Sequence, residues 1–537
     1  MHYNLCDEPW ILLMKKDGQV DAAGLEKAFT NLQDYMSFAG EIQLQDTAML
    51  RLFTAISVTM IYRMNANGQE DFTTDKKRLM ERFRTIWEQG KFPEAMVNGY
   101  FRRWHDRFDL TGDERPFFQV PEAIAKSVIK KKGKDLETRY HLPSRAGELK
   151  EMNRKPLASI NGIILDSNNK PAAYADVVLP EKDGIQYMPL AEGARWLLWY
   201  MAFADCGTKS PGPAKWASKM TLPGAGALVY PQGGNLFETV MLNSVLLKAD
   251  GEPYECVQPA WEKELSVFVQ DEPYKNSAPQ NLPELYTQQS RRIIFRCTDF
   301  GVIDAHVIAG DWYAATDIDP MFLWKEIRSG QDETISVTVK YNTASSWATL
   351  RNILLALGTD GNMRWIKLLR KEGLLQSEKC SLQLAGIEYG NTQSVIKKMA
   401  SDEIVIDTRF LENESDKKAM ETAVSTVNEL ASKFYVFGRD LAASKGAGSE
   451  FSGAQGKDMA QVFLNEAEIL LRHFLKGMLN ETQFDEQLQT VCRTISEQEM
   501  EQTDMSAYMN GTMTAAMAES NLRKASRMIF KRKEEKE

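Results

Sequence analysis

The sequence predicts an α+β protein: a mixed α/β N-terminal domain over residues 1–408, then a C-terminal four-helix bundle over 409–537. Three observations carry this expectation. At 537 residues the chain exceeds what one ordinary hydrophobic core serves, so at least two domains are expected. Before residue 408, helical and strand-like periods are interspersed, without the regular alternation that a doubly wound sheet requires. After Phe410 the apolar residues settle into a 4-3-4-3 spacing that recurs in successive stretches.

In chain order, Pro9-Trp10 opens into Ile11-Leu12-Leu13-Met14 and closes at Asp17-Gly18, which reads as a hairpin with a buried first strand. A short helix is expected near Ala22–Leu32. Thr47–Ile61 is apolar on nearly all sides and predicts a core helix. Arg115-Pro116-Phe117-Phe118-Gln119 reads as an extended segment pinned by two aromatics. Residues 126–134 form a lysine-rich loop broken by Gly133, and 156–190 reads as loops between short strands. A buried helix is expected at Ala194–Ala204, then a Gly/Pro-punctuated segment over Gly207–Gly226 and a helix restarting at Val240–Leu247. Arg292–Phe295, Ile335–Lys340, Ser381–Leu384 and Ile404–Ile406 are strand candidates.

The bundle follows. Met420, Val424, Val427, Ala431 and Phe434 mark its first helix; Phe463, Ala467, Leu470 and Phe474 mark its second. Phe484, Leu488, Val491 and Ile495 mark the third, and Ala507–Lys531 the fourth. Gly446–Gly456 reads as a Gly/Ser linker between the first two.

Composition narrows the function. The net charge of −9 argues against a protein coated in nucleic acid, so any such role must rest on local basic patches. Six scattered cysteines without a C-x-x-C pair give neither a zinc ribbon nor a disulfide framework. The first residues are polar and acidic rather than basic then apolar, and the apolar stretch Trp196–Ala204 is too short to span a bilayer. No membrane association is expected, and the expected location is a reducing cytoplasm.

Recognisable catalytic motifs fail at specific positions. Gly453-Ala454-Gln455-Gly456-Lys457 suggests a phosphate loop, yet Phe451 stands where its first glycine belongs and Asp458 where Ser or Thr must hold magnesium. Gly224-Ala225-Gly226 has Val229 in place of the third glycine of a dinucleotide turn. His105-Asp106 resembles a nuclease dipeptide, but the other histidines are not spaced to join it, so a solvent-facing polar pair is expected. No catalytic residue, metal or cofactor is assigned. The competing reading is an enzyme of unrecognised chemistry with a helical regulatory domain.

Two blocks, Asn4-Leu5-Cys6-Asp7-Glu8-Pro9-Trp10-Ile11 and Glu114-Arg115-Pro116-Phe117-Phe118-Gln119-Val120, resemble in this order the N-terminal half of the CasA family. CasA is the large subunit of the type I-E CRISPR surveillance complex, Cascade. The resemblance implies a non-catalytic subunit that recognises the protospacer-adjacent motif (PAM) of double-stranded DNA, initiates R-loop formation and helps recruit a helicase-nuclease. Implied partners are guide RNA, target DNA, the other Cascade subunits and that effector.

The resemblance extends downstream. Asn168, Asn169 and Lys170 fall where the family has a loop near the guide RNA 5′ end; chemically, they offer donors to phosphates and base edges. Ser210-Pro211-Gly212-Pro213-Ala214-Lys215 falls at the family's glycine-rich loop that approaches the minor groove. Only Gly212 of the glycines is kept there, which shifts part of the implied contact to Lys215. Tyr389-Gly390-Asn391-Thr392-Gln393-Ser394-Val395 lies between strand candidates. In the family a glutamine at such a tip wedges the duplex beneath the PAM; Gln393 matches it, flanked by Asn391, Thr392 and Ser394. The cysteine pairs of some members are missing, so no zinc is implied, and the family's PAM-contacting lysine has no clear counterpart.

Two basic patches are read from charge alone. Lys130, Lys131, Lys132 and Lys134 form either a solvated loop or a guide for incoming duplex. Arg523, Arg527 and Lys531 recur at i, i+4 and share one face of the last helix, a candidate DNA-holding face.

Overall fold

The structure, a computed structural model, describes residues 2–112, 115–119, 179–204, 221–263, 279–309, 319–329, 333–340, 346–357, 361–390, 396–509 and 513–534. Contacts divide the chain into two units. The first holds Met1–Thr343, Thr359–Leu375 and Gln383–Glu403; the second holds Ala344–Gly358, Gln376–Leu382 and Ile404–Glu537.

In the first unit, strands β1 (Ile11–Lys15) and β2 (Val20–Ala23) form the expected hairpin, with Gly18 at φ 82° in its turn. Strand β3 (Tyr35–Phe38) pairs with the other edge of β1. The helix expected near Ala22–Leu32 is shorter, Leu25–Thr30, because Val20–Ala23 is taken by the hairpin. Helix α1 (Gln43–Arg63) buries 18 of its 21 residues, as its all-round apolar sequence predicts. Phe53 stacks on Phe29 at 4.5 Å between ring centroids.

The polar residues inside α1 are matched rather than exposed. Arg51 lies 2.8 Å from Asp319, both almost fully buried, and its guanidinium sits 3.9 Å from the Tyr286 ring centre. Tyr286 Oη and the Met321 backbone N–H donate to the other Asp319 oxygen, each at 3.1 Å. Such a pair offsets its desolvation only with this full set of partners.

The two blocks that carry the resemblance are joined through residues 108–110. Leu5 N–H donates to the Phe108 carbonyl and Leu110 N–H to the Tyr3 carbonyl, so residues 3–5 run antiparallel to 108–110. Phe117 N–H then donates to the Asp109 carbonyl. Residues 115–119 form a turn, not the extended segment expected, and Phe118 has φ 54°. The Gln119 amide explains the turn: its Nε2 donates to the Leu110 carbonyl while its Oε1 accepts from Phe295 N–H. Phe117 and Phe118 are buried against Trp261. The blocks are a structural clasp.

Helix α2 (Leu190–Phe203) is the buried helix expected at 194–204, beginning one turn earlier. Strand β4 (Leu228–Gln232) leads into helix α3 (Leu236–Asn243), where the sequence suggested a helix at 240–247. The start is set by Asn235, whose side chain accepts from Glu238 N–H. At the end, Asn243 Nδ2 donates to the Pro231 and Thr239 carbonyls. Strands β5 (Arg291–Thr298) and β6 (Gly301–Ala309) form an antiparallel pair, as do Trp324–Ser329 and Glu333–Thr338. Strands β7 (Lys379–Tyr389) and β8 (Ile396–Asp407) extend the short candidates at 381–384 and 404–406, and the order in their sheet is β8-β7-β4.

The second unit is mainly helical and also takes in the start of β7 and the end of β8. Helices α4 (Glu414–Ser444), α5 (Ser449–Leu475), α6 (Glu481–Glu501) and α7 (Ala515–Glu534) close a bundle in which α4 packs on α5 and α7, and α6 packs on both α5 and α7. Helix Ser346–Ala356 also packs on α4, with Arg351 donating to Asn428 at 2.9 Å.

The supposed linker Gly446–Gly456 is mostly helix, since α5 begins at Ser449. One of its glycines serves a close contact: a Cβ on Gly456 would stand 2.7 Å from the Tyr435 carbonyl oxygen, whereas Gly446 at φ 80° ends the preceding helix. The phosphate-loop near-match is therefore a helix face. Leu471 and Cys492 are buried where Leu470 and Val491 were expected, because a 3.6-residue turn drifts against a strict 4-3 repeat. The last helix starts at Ala515, where Thr514 Oγ1 accepts from Met517 N–H; Met505–Tyr508 is a separate 3-10 turn.

Candidate nucleic-acid interface

An α-helix leaves its last four carbonyls without intrahelical partners. At the end of α2, side chains from three separate segments take them. Ser290 Oγ donates to the Met201 carbonyl at 2.5 Å, Thr221 Oγ1 to the Ala202 carbonyl, and Tyr389 Oη to the Phe203 carbonyl at 2.7 Å. Arg291 Nη2 donates to the Ala204 carbonyl at 3.3 Å. Gly224 makes room for this arrangement, because a Cβ there would lie 2.5 Å from Tyr389 Oη. That requirement, rather than nucleotide binding, accounts for Gly224 in the segment that resembled a dinucleotide turn.

These caps fix three chain positions at one place. Ala204 and Thr221 flank the segment that contains Gly212 and Lys215. Tyr389 is the last residue of β7 and leads into Asn391, Thr392, Gln393 and Ser394. Gly212, Lys215, Asn391, Thr392, Gln393 and Ser394 lie outside the described residues, as do Asn168, Asn169, Lys170 and Lys130, Lys131, Lys132 and Lys134. Sequence reasoning included Tyr389 in the candidate segment but gave it no role of its own, and it missed Thr221 and Ser290. The available signal was the tyrosine that precedes Gly390-Asn391 in the sequence.

His105 is tied into the N-terminal clasp. Its Nε2 lies 2.7 Å from Asp7 Oδ2, and Asn4 Nδ2 donates to the His105 carbonyl at 2.8 Å. Its partner is thus Asp7 rather than Asp106. Among the described residues, no group of three or more His, Cys, Asp and Glu is placed to hold a metal, and no helix is long and apolar enough to cross a membrane.

The described part of the basic patches is on α7. Arg523, Arg527 and Lys531 share the face that meets α6, where Arg493 joins them around a groove of about 490 Å³. Cations at i, i+4 spacing repel by a few tenths of a kcal/mol per pair, about 0.2–0.5. Arg523 is relieved by Glu519 at 2.6 Å and Glu497 at 3.8 Å. Arg493 and Arg527 form no ion pair with a described residue. Cys492 lies below them; burial pushes its thiol up to about 12, so it stays protonated. Arg493 was missed because it stands on a different helix from the i, i+4 stripe.

The fold and these sites place the chain among known proteins. Residues 4–502 match the family model of CRISPR-associated protein Cse1, and the chain belongs to that family. A curated relative, CRISPR-associated protein CasA/Cse1 of Thermus thermophilus, is 27% identical over 265 residues, covering 48% of this chain and 42% of the relative. The chain is similar throughout to the crystal structure of Cse1 from Acidimicrobium ferrooxidans, at 21% identity and TM-score 0.73, covering 98% of each chain. The Thermobifida fusca Cse1 structure matches at 19% identity and TM-score 0.71, covering 98% of this chain and 97% of that one. A chain of a CRISPR RNA-guided surveillance complex matches at 15% identity and TM-score 0.62, covering 98% and 99%.

Proposed function

We propose that this chain is the large, non-catalytic subunit of an RNA-guided surveillance complex in the cytoplasm. In this role it recognises the PAM in double-stranded DNA, initiates strand separation and helps recruit the helicase-nuclease. Family membership and the likeness to a chain of such a complex support the reading. The single observation that supports its mechanism is the capped end of α2, which holds together Thr221 and Tyr389, the described residues next in sequence to the segments bearing Gly212 and Gln393.

A wedge needs a firm support. Forcing a side chain into stacked bases costs a few kcal/mol per step, and a loop on a yielding base would recoil rather than separate them. The unstacking is repaid when guide RNA pairs with the freed strand. Gln393 is the wedge, with Asn391, Thr392 and Ser394 beside it and Gly212 and Lys215 on the minor groove. Asn168, Asn169 and Lys170 face the guide RNA, and Lys130, Lys131, Lys132 and Lys134 steer the incoming duplex.

The test uses the assembled complex. Gln393→Ala slows R-loop formation on linear DNA more than it weakens first contact, and negative supercoiling partly restores the rate. Equal rates on linear DNA for mutant and wild type would remove Gln393 from the mechanism. Turnover of nucleotide or DNA by the isolated chain would favour an enzyme instead.

A further inference from the structure

The groove between α6 and α7 has a composition that a general attraction for DNA does not explain. Its rim carries four cations, Arg493, Arg523, Arg527 and Lys531, and one lining carboxylate, Glu486. Arg523 is paired with Glu519 and Glu497, while Arg493 and Arg527 form no ion pair with a described residue. Its floor is apolar: Leu522, Phe530 and Cys492 are 4%, 7% and 7% exposed. Between rim and floor sit Gln489, Thr490 and Ser526; the Thr490 hydroxyl already donates to the Glu486 carbonyl and is left to accept, whereas the buried Ser526 Oγ has no hydrogen-bond partner. Cations above an apolar floor, with hydroxyl and amide groups between, match a nucleotide: phosphate outside, sugar at mid-depth, base face inside.

We propose that this groove holds a short stretch of single-stranded nucleic acid, with at least one base turned in toward Phe530 and its flanking phosphates on Arg493 and Arg527. The proposal rests on the reading that the chain works on nucleic acid, and adds the strand state that this site accepts. Neighbouring helices in contact run about 8–10 Å apart, so the seam between them is too narrow for a duplex. A duplex would touch the rim cations alone, leaving the floor and Ser526 unused. An acidic peptide would likewise satisfy the rim, whereas a base has the flat apolar face that the floor offers. Arginine suits the rim because its planar guanidinium both pairs with phosphate and stacks on a base.

The experiment measures binding of a labelled short oligothymidine, and of a duplex of equal length, to the full chain over a salt series. Arg493→Ala/Arg527→Ala removes two exposed side chains without ion pairs to described residues, so the fold is retained, as circular dichroism will verify. It is expected to weaken single-strand binding about tenfold or more and to reduce the salt slope by about 1.4, for two contacts. Duplex binding should change far less. Arg493→Lys/Arg527→Lys keeps both charges and should recover the salt slope but only part of the affinity.

Three results would overturn the proposal. Unchanged single-strand binding in the double alanine variant removes the groove. Equal loss for duplex and single strand makes it a generic phosphate contact. Displacement of the strand by polyglutamate at equal charge concentration marks a site for an acidic protein segment. The proposal and the wedge fail separately, because Gln393→Ala is read on duplex DNA in the assembled complex.

Discussion

Helices α1 and α7 are almost equal in length, 21 and 20 residues, and use charge in opposite ways. In α1, Arg51 is enclosed with Asp319, Tyr286 and Met321, and every oxygen of the carboxylate has a partner. In α7 the cations stand on a groove, and Arg527 meets no carboxylate among the described residues. The first arrangement holds a fold together. The second leaves Arg527 without a paired carboxylate while Arg523 keeps Glu519 and Glu497, so in a chain whose net charge is −9 the two helices contrast enclosed charge with open charge.

The largest effect expected from breaking the contrast is at Arg51. Arg51→Ala strands the buried Asp319 carboxylate and should destabilise the chain by about 3–5 kcal/mol, measured by denaturant unfolding. If the cost is no larger than that of an exposed pair, α1 does not enclose its charge as described.

Glu262 offers a pH-dependent version of enclosed charge. Burial pushes its carboxyl up to about 7, partly opposed by Arg63, which is 2.7 Å away without hydrogen-bond alignment, and by Tyr100 Oη at 2.9 Å. Between the ordinary glutamate value of about 4.3 and the raised one, the folded chain keeps a proton that the unfolded chain releases. Stability attributable to Glu262 therefore falls as pH rises through that window, by at most about 1.4 kcal/mol per pH unit. Glu262→Gln should flatten that part of the profile; an unchanged slope would assign it to other groups.

Tyr389→Phe removes one cap from α2 and keeps the ring beside Gly224. About 1 kcal/mol of stability should be lost. In the assembled complex, R-loop formation on linear DNA should slow with little change in first contact, linking cap to wedge. A stability loss without that kinetic effect would make Tyr389 purely structural.

The smallest effect is expected on α7. Arg523 is about half exposed, and its i, i+4 pair with Glu519 should contribute only about 0.3–0.5 kcal/mol. Arg523→Ala should leave the melting temperature almost unchanged, whereas a fall of several degrees would show that the α7 cations hold the bundle together.

What could be read from the sequence follows the range of the forces involved. Helix α1 was legible because its residues are apolar on every side, and the bundle because Met420–Phe434 and Phe484–Ile495 keep helical spacing. The turn at 115–119 was not, since it depends on Gln119 reaching Phe295, far along the chain. The α5 linker was misread because glycine looks the same in a loop and at a close helix crossing. At the candidate site, the stripe Arg523, Arg527 and Lys531 was visible as a local repeat, whereas Arg493 and the Tyr389 cap depend on tertiary neighbours.

The N-terminal clasp also dictates a timetable. Leu5 and Trp10 are fully buried, and the backbone of residues 3–5 has two sets of partners. The Leu5 carbonyl accepts from the nearby Leu25 N–H, whereas Leu5 N–H and the Tyr3 carbonyl pair with residues 108–110. Ribosomes add about 5–20 residues per second, so a wait on the order of 5–20 s separates the synthesis of these strands. Closing so long a loop costs roughly 4 kcal/mol in chain entropy, which the pairing must overcome after the second strand emerges. Throughout that interval Leu5 N–H and the Tyr3 carbonyl lack their partners, so the clasp is completed only once residues 108–110 have emerged.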